Sequence, residues 1–241
     1  MDNMKHTCIR CQKQTHSVSD IGLCESCASK WESKCRQELM QFSGLDEFRK
    51  AAEHILAGIE QMGFQLDELN FKDTPNRFAR AYYEIFTGCL DTQSQIDEIL
   101  STTFPANGNN DMIVEHDIIC FSMCPHHLLP VEYHVSVGYI PAKTGKVLGI
   151  SKLGRLVKVL AKRPILQESF TRDIVQQLTK IGAQGAIAHV VGQHMCMRMR
   201  GANMPTSSVT TTALDGVFQN DFSAKQEFLE SIRFHSKGGI I

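Results

Sequence analysis

The sequence has no long hydrophobic run and no excess of charge of one sign, and these absences exclude several kinds of protein. No apolar stretch in the 241 residues is long enough to cross a bilayer. The polar residues 1–6 do not begin a secretory signal peptide. The formal net charge of −1 argues against nucleic acid as a partner, so any anion-binding surface must be local. We therefore expect a cytoplasmic protein with no membrane partner.

Cysteine is plentiful, with nine residues, and five of them fall in the first 37 positions. Without an export signal, thiols are expected to stay reduced and to serve as metal ligands. Two Cys-x-x-Cys pairs are separated by twelve residues: Cys8 with Cys11, and Cys24 with Cys27. Redox pairs and a chance cluster are the alternatives, but two matched pairs favour one tetrahedral zinc. We predict a small zinc ribbon-like module at 1–37 and a larger domain at 43–241.

Hydrophobic periodicity predicts an α+β fold for the larger domain. Four features favour particular helix limits: apolar spacing from Ser43 to Gly63, Thr74 as an N-cap before Pro75, Ser151 as a cap, and Gly182 as a stop. The predicted helices are 43–63, 74–88, 151–162, 170–181 and 221–234. The predicted strands are 112–120, 133–140 and 186–200, and a loop is predicted at 96–108.

Two segments carry candidate metal ligands. Cys124 and His127 stand three residues apart in a turn after a strand, which alone is a weak signal. In the predicted strand at 186–200, a period of two places His194, Cys196, Arg198 and Arg200 on one face. An exposed polar face would explain the arginines but not the cysteine between them. Cys124, His127 and Cys196 can hold zinc with an open fourth position, as in catalytic sites.

Ionisable residues beside these ligands suggest further roles. His126 and His194 are left over as proton carriers. Lys152 and Arg155 lie in the first turn of a predicted helix, where the dipole disfavours cations unless an anion such as phosphate docks there. Glu168 is explained either as a helix N-terminal stabiliser or as an acceptor for a guanine edge.

Several motifs together resemble the GTP cyclohydrolase I family, over roughly residues 45–235 and in the family's order. They are DTPNR from Asp73, CPHHLLP from Cys124, GYIP from Gly138, GISKLGRLV from Gly149, QES from Gln167, HMCMRMRG from His194 and SVTTTALDGVF from Ser208. Nothing in the first 40 residues belongs to this pattern.

The resemblance implies a tunnelling fold, in which antiparallel sheets from several subunits close into a barrel with helices outside. It implies a homodecamer of two stacked pentamers that hydrolyses and rearranges GTP to 7,8-dihydroneopterin triphosphate and releases formate. By matching position, Zn²⁺ is held by Cys124, His127 and Cys196, and His194 and His126 carry protons. The implied substrate contacts are Glu168 and Gln167 at the guanine, and Ser151, Lys152, Arg155, Arg200 and a neighbouring subunit's Arg77 at the triphosphate.

One departure from the family pattern leaves an alternative open. The family usually reads Cys-Glu-His-His where this chain has proline at position 125. Proline removes a carboxylate and a backbone donor and restricts Cys124 to extended conformations. The alternative is therefore a GTP-binding regulatory homologue with lost or reduced turnover. Against it, all three ligands and both histidines are retained.

Overall fold

The computed structural model describes residues 6–7, 14–15, 44–108, 111–141 and 145–236. The chain divides into two compact units, residues 1–84 and residues 85–241. The N-terminal cysteines predicted to bind zinc lie outside the described residues, so that module stays a prediction. No helix among the residues described is long and apolar enough to span a membrane.

The described residues of the first unit form two short paired strands and three helices. They are β1 (His6–Thr7), β2 (Gln14–Thr15), α1 (Leu45–Gln61), α2 (Glu68–Phe71) and α3 (Thr74–Ile85). Helix α1 has acidic residues in its first turn, as its dipole favours, and Asp46 pairs with both Arg49 and Lys50. The helix predicted at 43–63 is confirmed. The helix predicted at 74–88 also forms, but Thr74 is its first residue rather than its cap and it ends at Ile85.

The second unit combines helices with antiparallel strands. Its strands are β3 (Thr103–Pro105), β4 (Ile113–Met123), β5 (Pro130–Ile140), β6 (Lys146–Leu148), β7 (Gly185–His194) and β8 (Val209–Gly216). Its helices are α4 (Thr92–Ser101), α5 (Ser151–Ala161), α6 (Gln167–Lys180), α7 (Met195–Arg198), α8 (Val217–Asn220) and α9 (Phe222–Ser236), with a 3-10 turn at Thr87–Cys89.

The main sheet has the order β4-β5-β7-β8, and every neighbouring pair is antiparallel. Alternate residues of β5 are almost completely buried: Val131, Tyr133, Val135, Val137 and Tyr139. This face packs in one core cluster with buried residues of α5 and α6, among them Leu156, Leu160, Phe170 and Ile174. Full burial of each such side chain stabilises the fold by about 1.5–3 kcal/mol. The packing of this layer therefore holds the strands, and with them the strand ends, in fixed positions. The predicted α+β class is confirmed.

Two of the backbone elements predicted in this unit are wrong, and one strand was not predicted. The segment predicted as a loop at 96–108 contains the end of α4 and all of β3, because Ile96, Ile99 and Leu100 pack on the core at helical spacing. The strand predicted to reach residue 200 ends at His194, where a short helix begins. Strand β8 was not predicted as a strand, because its threonines leave half-exposed positions without a clear apolar alternation.

Candidate metal centre and substrate site

The first half of the candidate site is the tight connection between β4 and β5. The Cys124 amide donates to the Leu129 carbonyl at 2.9 Å, and the Cys124 carbonyl accepts from the amides of His127 and Leu128 at 3.3 and 2.8 Å. Pro125 therefore occupies the second position of a four-residue turn, where its fixed φ is favoured and its missing N–H costs nothing. Leu128 follows the turn with a φ of 49°, a left-handed conformation that costs free energy in a residue with a side chain.

The second half is the helical turn α7 after β7. His194 is extended and precedes the helix, and the Met199 amide donates to the Met195 carbonyl at 3.1 Å. Arg198 turns back to donate to the Gln193 side chain and to the Pro205 carbonyl. The prediction of one strand face from His194 to Arg200 is therefore wrong, and Met199 in the same segment is exposed. A helical turn, not strand alternation, brings Cys196 to the end of the sheet.

These two turns place the thiols of Cys124 and Cys196 3.7 Å apart. A disulfide would need about 2.05 Å, so this is a pair of free thiols. Two sulfur ligands about 2.3 Å from a tetrahedral zinc ion lie about 3.8 Å from each other. The observed spacing thus fits zinc. Burial, and then the neighbouring Cys124, raise the pKa of the Cys196 thiol, so a metal ion that binds Cys196 must displace its proton.

Three histidines surround the thiol pair. The ring nitrogen that lies within 4.8 Å of both sulfur atoms belongs to His194. The Nδ1 atoms of His126 and His127 each lie 3.8 Å from the Cys124 sulfur, close to the about 3.6 Å expected between a sulfur and a nitrogen on one tetrahedral zinc. The structure thus brings together the predicted sulfur ligands and offers His127 and His194 as candidates for the nitrogen ligand.

The Arg200 guanidinium lies 3.1 Å from Nε2 of His127. Arginine is always a donor, so Nε2 accepts this bond and a neutral His127 then carries its proton on Nδ1. A metal bound through Nδ1 requires the opposite tautomer, with the proton on Nε2. Metal binding by His127 would therefore release Arg200 from this contact and leave its charge available to an anion.

His194 is held by Gln167, which reaches it across β7. The Gln167 amide nitrogen donates to the carbonyls of Val190 and Val209 and to the Thr211 hydroxyl, at 2.9 to 3.2 Å. These acceptors fix the orientation of the amide, so its oxygen accepts from Nε2 of His194 at 2.8 Å. Neutral His194 consequently has its lone pair on Nδ1. Burial lowers the pKa of His194, which favours this neutral form.

Gly192 makes that crossing possible. A Cβ atom added there would lie 2.2 Å from the Gln167 side-chain oxygen and 2.9 Å from the Tyr133 ring. Sequence reasoning placed Gln167 beside the guanine and missed Gly192 and Tyr133 altogether. A lone glycine inside a strand is a signal of close approach and could have drawn attention to this position.

Glu168 and Gln167 lie in the first turn of α6, not before it as predicted. Glu168 is exposed at one end of a cleft of about 680 Å³ between α6 and β8, which also borders Thr171, Arg172 and Thr211. Thr171 donates to the Gln167 carbonyl and shares a hydrogen bond of 2.6 Å with Thr211. The Glu168 charge opposes the effect of burial and acts to raise the pKa of His194.

Helix α5 presents the other predicted substrate residues. Ser151 is its first residue and makes no capping bond, so the prediction that Ser151 caps the helix is wrong. The amides of Lys152 and Gly154 are already used, by the Gly149 carbonyl at 2.8 Å and the Glu115 carboxylate at 3.1 Å. With these two amides occupied, the cationic side chains of Lys152 and the exposed Arg155 are the main groups that this helix offers to an anion. In the other unit, Arg77 pairs with Asp73 at 3.2 Å.

An antiparallel sheet backed by helices, with a Cys/His cluster at the end of its central strands, defines an α+β protein with a candidate metal site.

Residues 49–233 match the GTP cyclohydrolase I family. The chain is 40% identical over 175 residues to the GTP cyclohydrolase 1 of Clostridium perfringens strain 13, covering 72% of this chain and 91% of that protein. It is 42% identical over 170 residues to the GTP cyclohydrolase 1 of Streptococcus sanguinis, covering 70% and 89%. The chain belongs to the GTP cyclohydrolase I family, and the enzyme class predicted from the sequence is confirmed.

Proposed function

We propose that this enzyme converts GTP to 7,8-dihydroneopterin triphosphate with release of formate, and that Cys124, His127 and Cys196 hold the Zn²⁺ it uses. Family membership supports the reaction. The observation that carries the metal assignment is the 3.7 Å spacing of two thiols beside three histidines. Bound zinc would supply a water molecule of lowered pKa for attack at C8 of the guanine.

His194 is proposed as the proton donor at the imidazole ring of the substrate. Its Nε2 proton is committed to Gln167, so exchange with substrate takes place at Nδ1. Its lowered pKa makes it a neutral acceptor at rest and a strong acid once protonated. The second carrier, His126, is exposed beside Cys124 and serves the ribose.

The remaining predicted residues are proposed to bind the two ends of GTP. Glu168 accepts from the guanine edge. Gln167, which is buried and hydrogen-bonded to Val190, Val209 and His194, orients His194 instead of contacting the base. The proposed triphosphate contacts are Ser151, Lys152, Arg155 and Arg200, with Arg77 supplied by a neighbouring subunit.

Assembly into a homo-oligomer, a decamer of two pentamers, is part of the proposal. Strands β4 and β8 are the edges of the sheet, and β4 is eleven residues long with Ile119 and Phe121 exposed on it. Long edges with apolar side chains are normally covered. Pairing of the edges of neighbouring subunits would cover both and would close the sheets into a barrel. The cytoplasmic location also stays a prediction.

The test measures formate release, pterin formation and zinc content of the purified protein with GTP. Cys196→Ser should abolish turnover and remove one zinc per subunit, whereas Cys89→Ser, at an exposed thiol outside the cluster, should change neither. His127→Ala should lose that zinc, and His194→Ala should keep it but lose turnover. The reverse result for the two histidines would make His194 the ligand. Zinc and GTP binding without formate release in the unsubstituted protein would establish the regulatory homologue instead.

A further inference from the structure

The carboxylate of Glu115, on β4, lies against the first turn of α5. Its Oε2 atom accepts from the Gly154 amide at 3.1 Å. A Cβ atom added at position 154 would lie 2.9 Å from the Oε1 atom of Glu115, closer than real Cβ atoms approach their neighbours. Glycine is less favourable than alanine inside a helix, so this close approach gives a physical reason for glycine at this position.

Glu115 faces α5 because β4 contains a bulge. Between Glu115 and Ile118, three residue steps of β4 are matched by two of β5, and Asp117 within this stretch has a φ of 49°. Ile118 and Cys120 face the core, and regular alternation would place position 115 on the opposite face of the sheet. The extra residue reverses the alternation, so Glu115 and Ile113 lie on the core side instead.

The start of α5 depends on Glu115 for a directional contact with the main sheet. Ser151, the first residue of the helix, makes no capping bond. Apolar side chains such as Leu156 hold the helix against the core, but apolar packing is not directional. Among the hydrogen bonds of the described residues, the one from Gly154 to Glu115 joins the first turn of α5 to the main sheet.

The proposed triphosphate contacts of α5 lie on another side of the helix. With 3.6 residues per turn, Gly154 lies about 100° from Arg155 and about 160° from Lys152 around the helix axis. Lys158, one turn after Gly154, shares the side of the glycine. Glu115 therefore approaches the helix from behind the two cations and holds the turn without occupying the position of an anion.

The charge of Glu115 is compensated on its own side of the helix. Burial raises the pKa of Glu115, and the Gly154 amide and then the Lys158 charge oppose that effect. A carboxylate at the start of a helix is also favoured by the helix dipole. The carboxylate is thus stabilised by groups other than Lys152 and Arg155, whose charges stay available to an anion.

We propose that Glu115 is a positioning residue for the triphosphate of GTP: its bond to the Gly154 amide sets the orientation of the start of α5 and of the two cations on it. The inference rests on the proposed triphosphate contacts of Lys152 and Arg155. It goes beyond them by assigning a role to a residue of β4 that acts on the substrate through a helix rather than by contact. Loss of the bond should weaken triphosphate binding and spare the chemistry at the guanine.

The test compares Glu115→Ala, Glu115→Gln and Gly154→Ala in the full chain. The matched control is Glu132→Ala, because Glu132 is a half-buried carboxylate of the neighbouring strand that bonds to His134 instead. Calorimetry gives the Kd of inorganic triphosphate, which probes the cations of α5, and the Kd of guanosine, which probes the other end of the site. Formate release gives KM and kcat for GTP.

We expect Glu115→Ala to raise the Kd of inorganic triphosphate and the KM for GTP about 10-fold, the size of one lost charge-assisted hydrogen bond. The guanosine Kd and kcat should stay within about twofold, because the bond affects binding and not the chemical step. Glu115→Gln keeps an acceptor oxygen at the same reach and should behave like the unsubstituted protein. Gly154→Ala should displace the carboxylate and weaken triphosphate binding, but should add no further loss to Glu115→Ala, where the carboxylate is already absent.

Arg155→Ala separates failure of this inference from failure of the proposed site. If Arg155→Ala weakens triphosphate binding and Glu115→Ala does not, the inference is overturned and the triphosphate contacts stand. Equal losses for triphosphate and guanosine in Glu115→Ala, the same losses in Glu132→Ala, or a Glu115→Gln variant as defective as Glu115→Ala would also overturn it. If Arg155→Ala leaves triphosphate binding unchanged, the proposed contacts of α5 fail and the inference falls with them.

Discussion

The bond between Gln167 and His194 offers the sharpest test of the proposed proton transfer. Gln167→Met keeps the length of the side chain and removes the amide. The residue is 3% exposed, so water cannot replace the lost contacts. His194 Nε2 loses its acceptor at 2.8 Å, and the Val190 and Val209 carbonyls lose a shared donor.

Two magnitudes follow from these contacts. Unpaired buried groups cost about 1–3 kcal/mol, so the free energy of unfolding should fall by that amount. General acid-base catalysis is worth about 10²–10⁴-fold, and a histidine that has lost its orientation but not its ring should lose part of this. We therefore expect kcat to fall about 10–100-fold, with KM for GTP and zinc content little changed.

Gln177→Met is the matched control, because Gln177 is another buried glutamine of α6 and its oxygen accepts only from Lys180 among the hydrogen bonds described. The assay combines chemical denaturation with the pH dependence of single-turnover formate release. The control should lose stability without a matching loss of kcat. Equal kcat in the Gln167 variant and the control, at equal loss of stability, would refute a positioning role for Gln167.

Three further predictions concern other parts of the chain. Deleting residues 1–37 should remove one zinc per subunit, by metal analysis, and leave formate release largely intact; loss of all activity with unchanged zinc would contradict this. Asp117, and then Glu132, hold the pKa of His134 above its ordinary value. The stability that His134 contributes is therefore fully present below its unfolded-state pKa and is lost as the pH rises through the raised folded-state pKa. The denaturation midpoints of the unsubstituted protein and of His134→Gln should therefore converge once the pH exceeds that folded-state pKa. Pro125→Glu should raise single-turnover formate release without changing zinc content, because it adds a carboxylate beside Cys124 in the turn between β4 and β5. An unchanged rate would show that the site does not need this carboxylate.

The elements with strong apolar periodicity were predictable from sequence, and those fixed by local hydrogen bonding were not. Strand β5 and helix α1 have clear patterns, and both were expected at nearly their true positions. The segment from Met195 to Arg198 alternates like a strand but is only four residues long, too short for periodicity to distinguish it from a helical turn. Its conformation depends on contacts of Arg198 with groups that no local pattern reveals.

The candidate site was predictable in its chemistry but not in its geometry. Cysteines and histidines with ligand spacing point to zinc, and the structure brings the sulfur atoms of Cys124 and Cys196 together. The connection from Gln167 to His194 passes over Gly192 and needs the register of β7, which no single sequence supplies. The hydroxyl of Tyr133 is buried without a hydrogen-bond partner among the described residues. No sequence signal predicts this, because tyrosine is an ordinary residue in a strand.

The two thiols are 72 residues apart in the chain, and β5 lies between the strands that carry them. Their sulfur atoms approach each other only after β4, β5 and β7 have all paired in register. Because this contact joins residues far apart in the sequence, we expect it to form late in folding. Under the proposed assignment, zinc therefore has no preformed pair of thiols to bind while the sheet is incomplete. Metal uptake during refolding should consequently lag behind sheet formation, and a chelator present from the start should leave the rate of sheet formation unchanged while keeping the finished protein inactive.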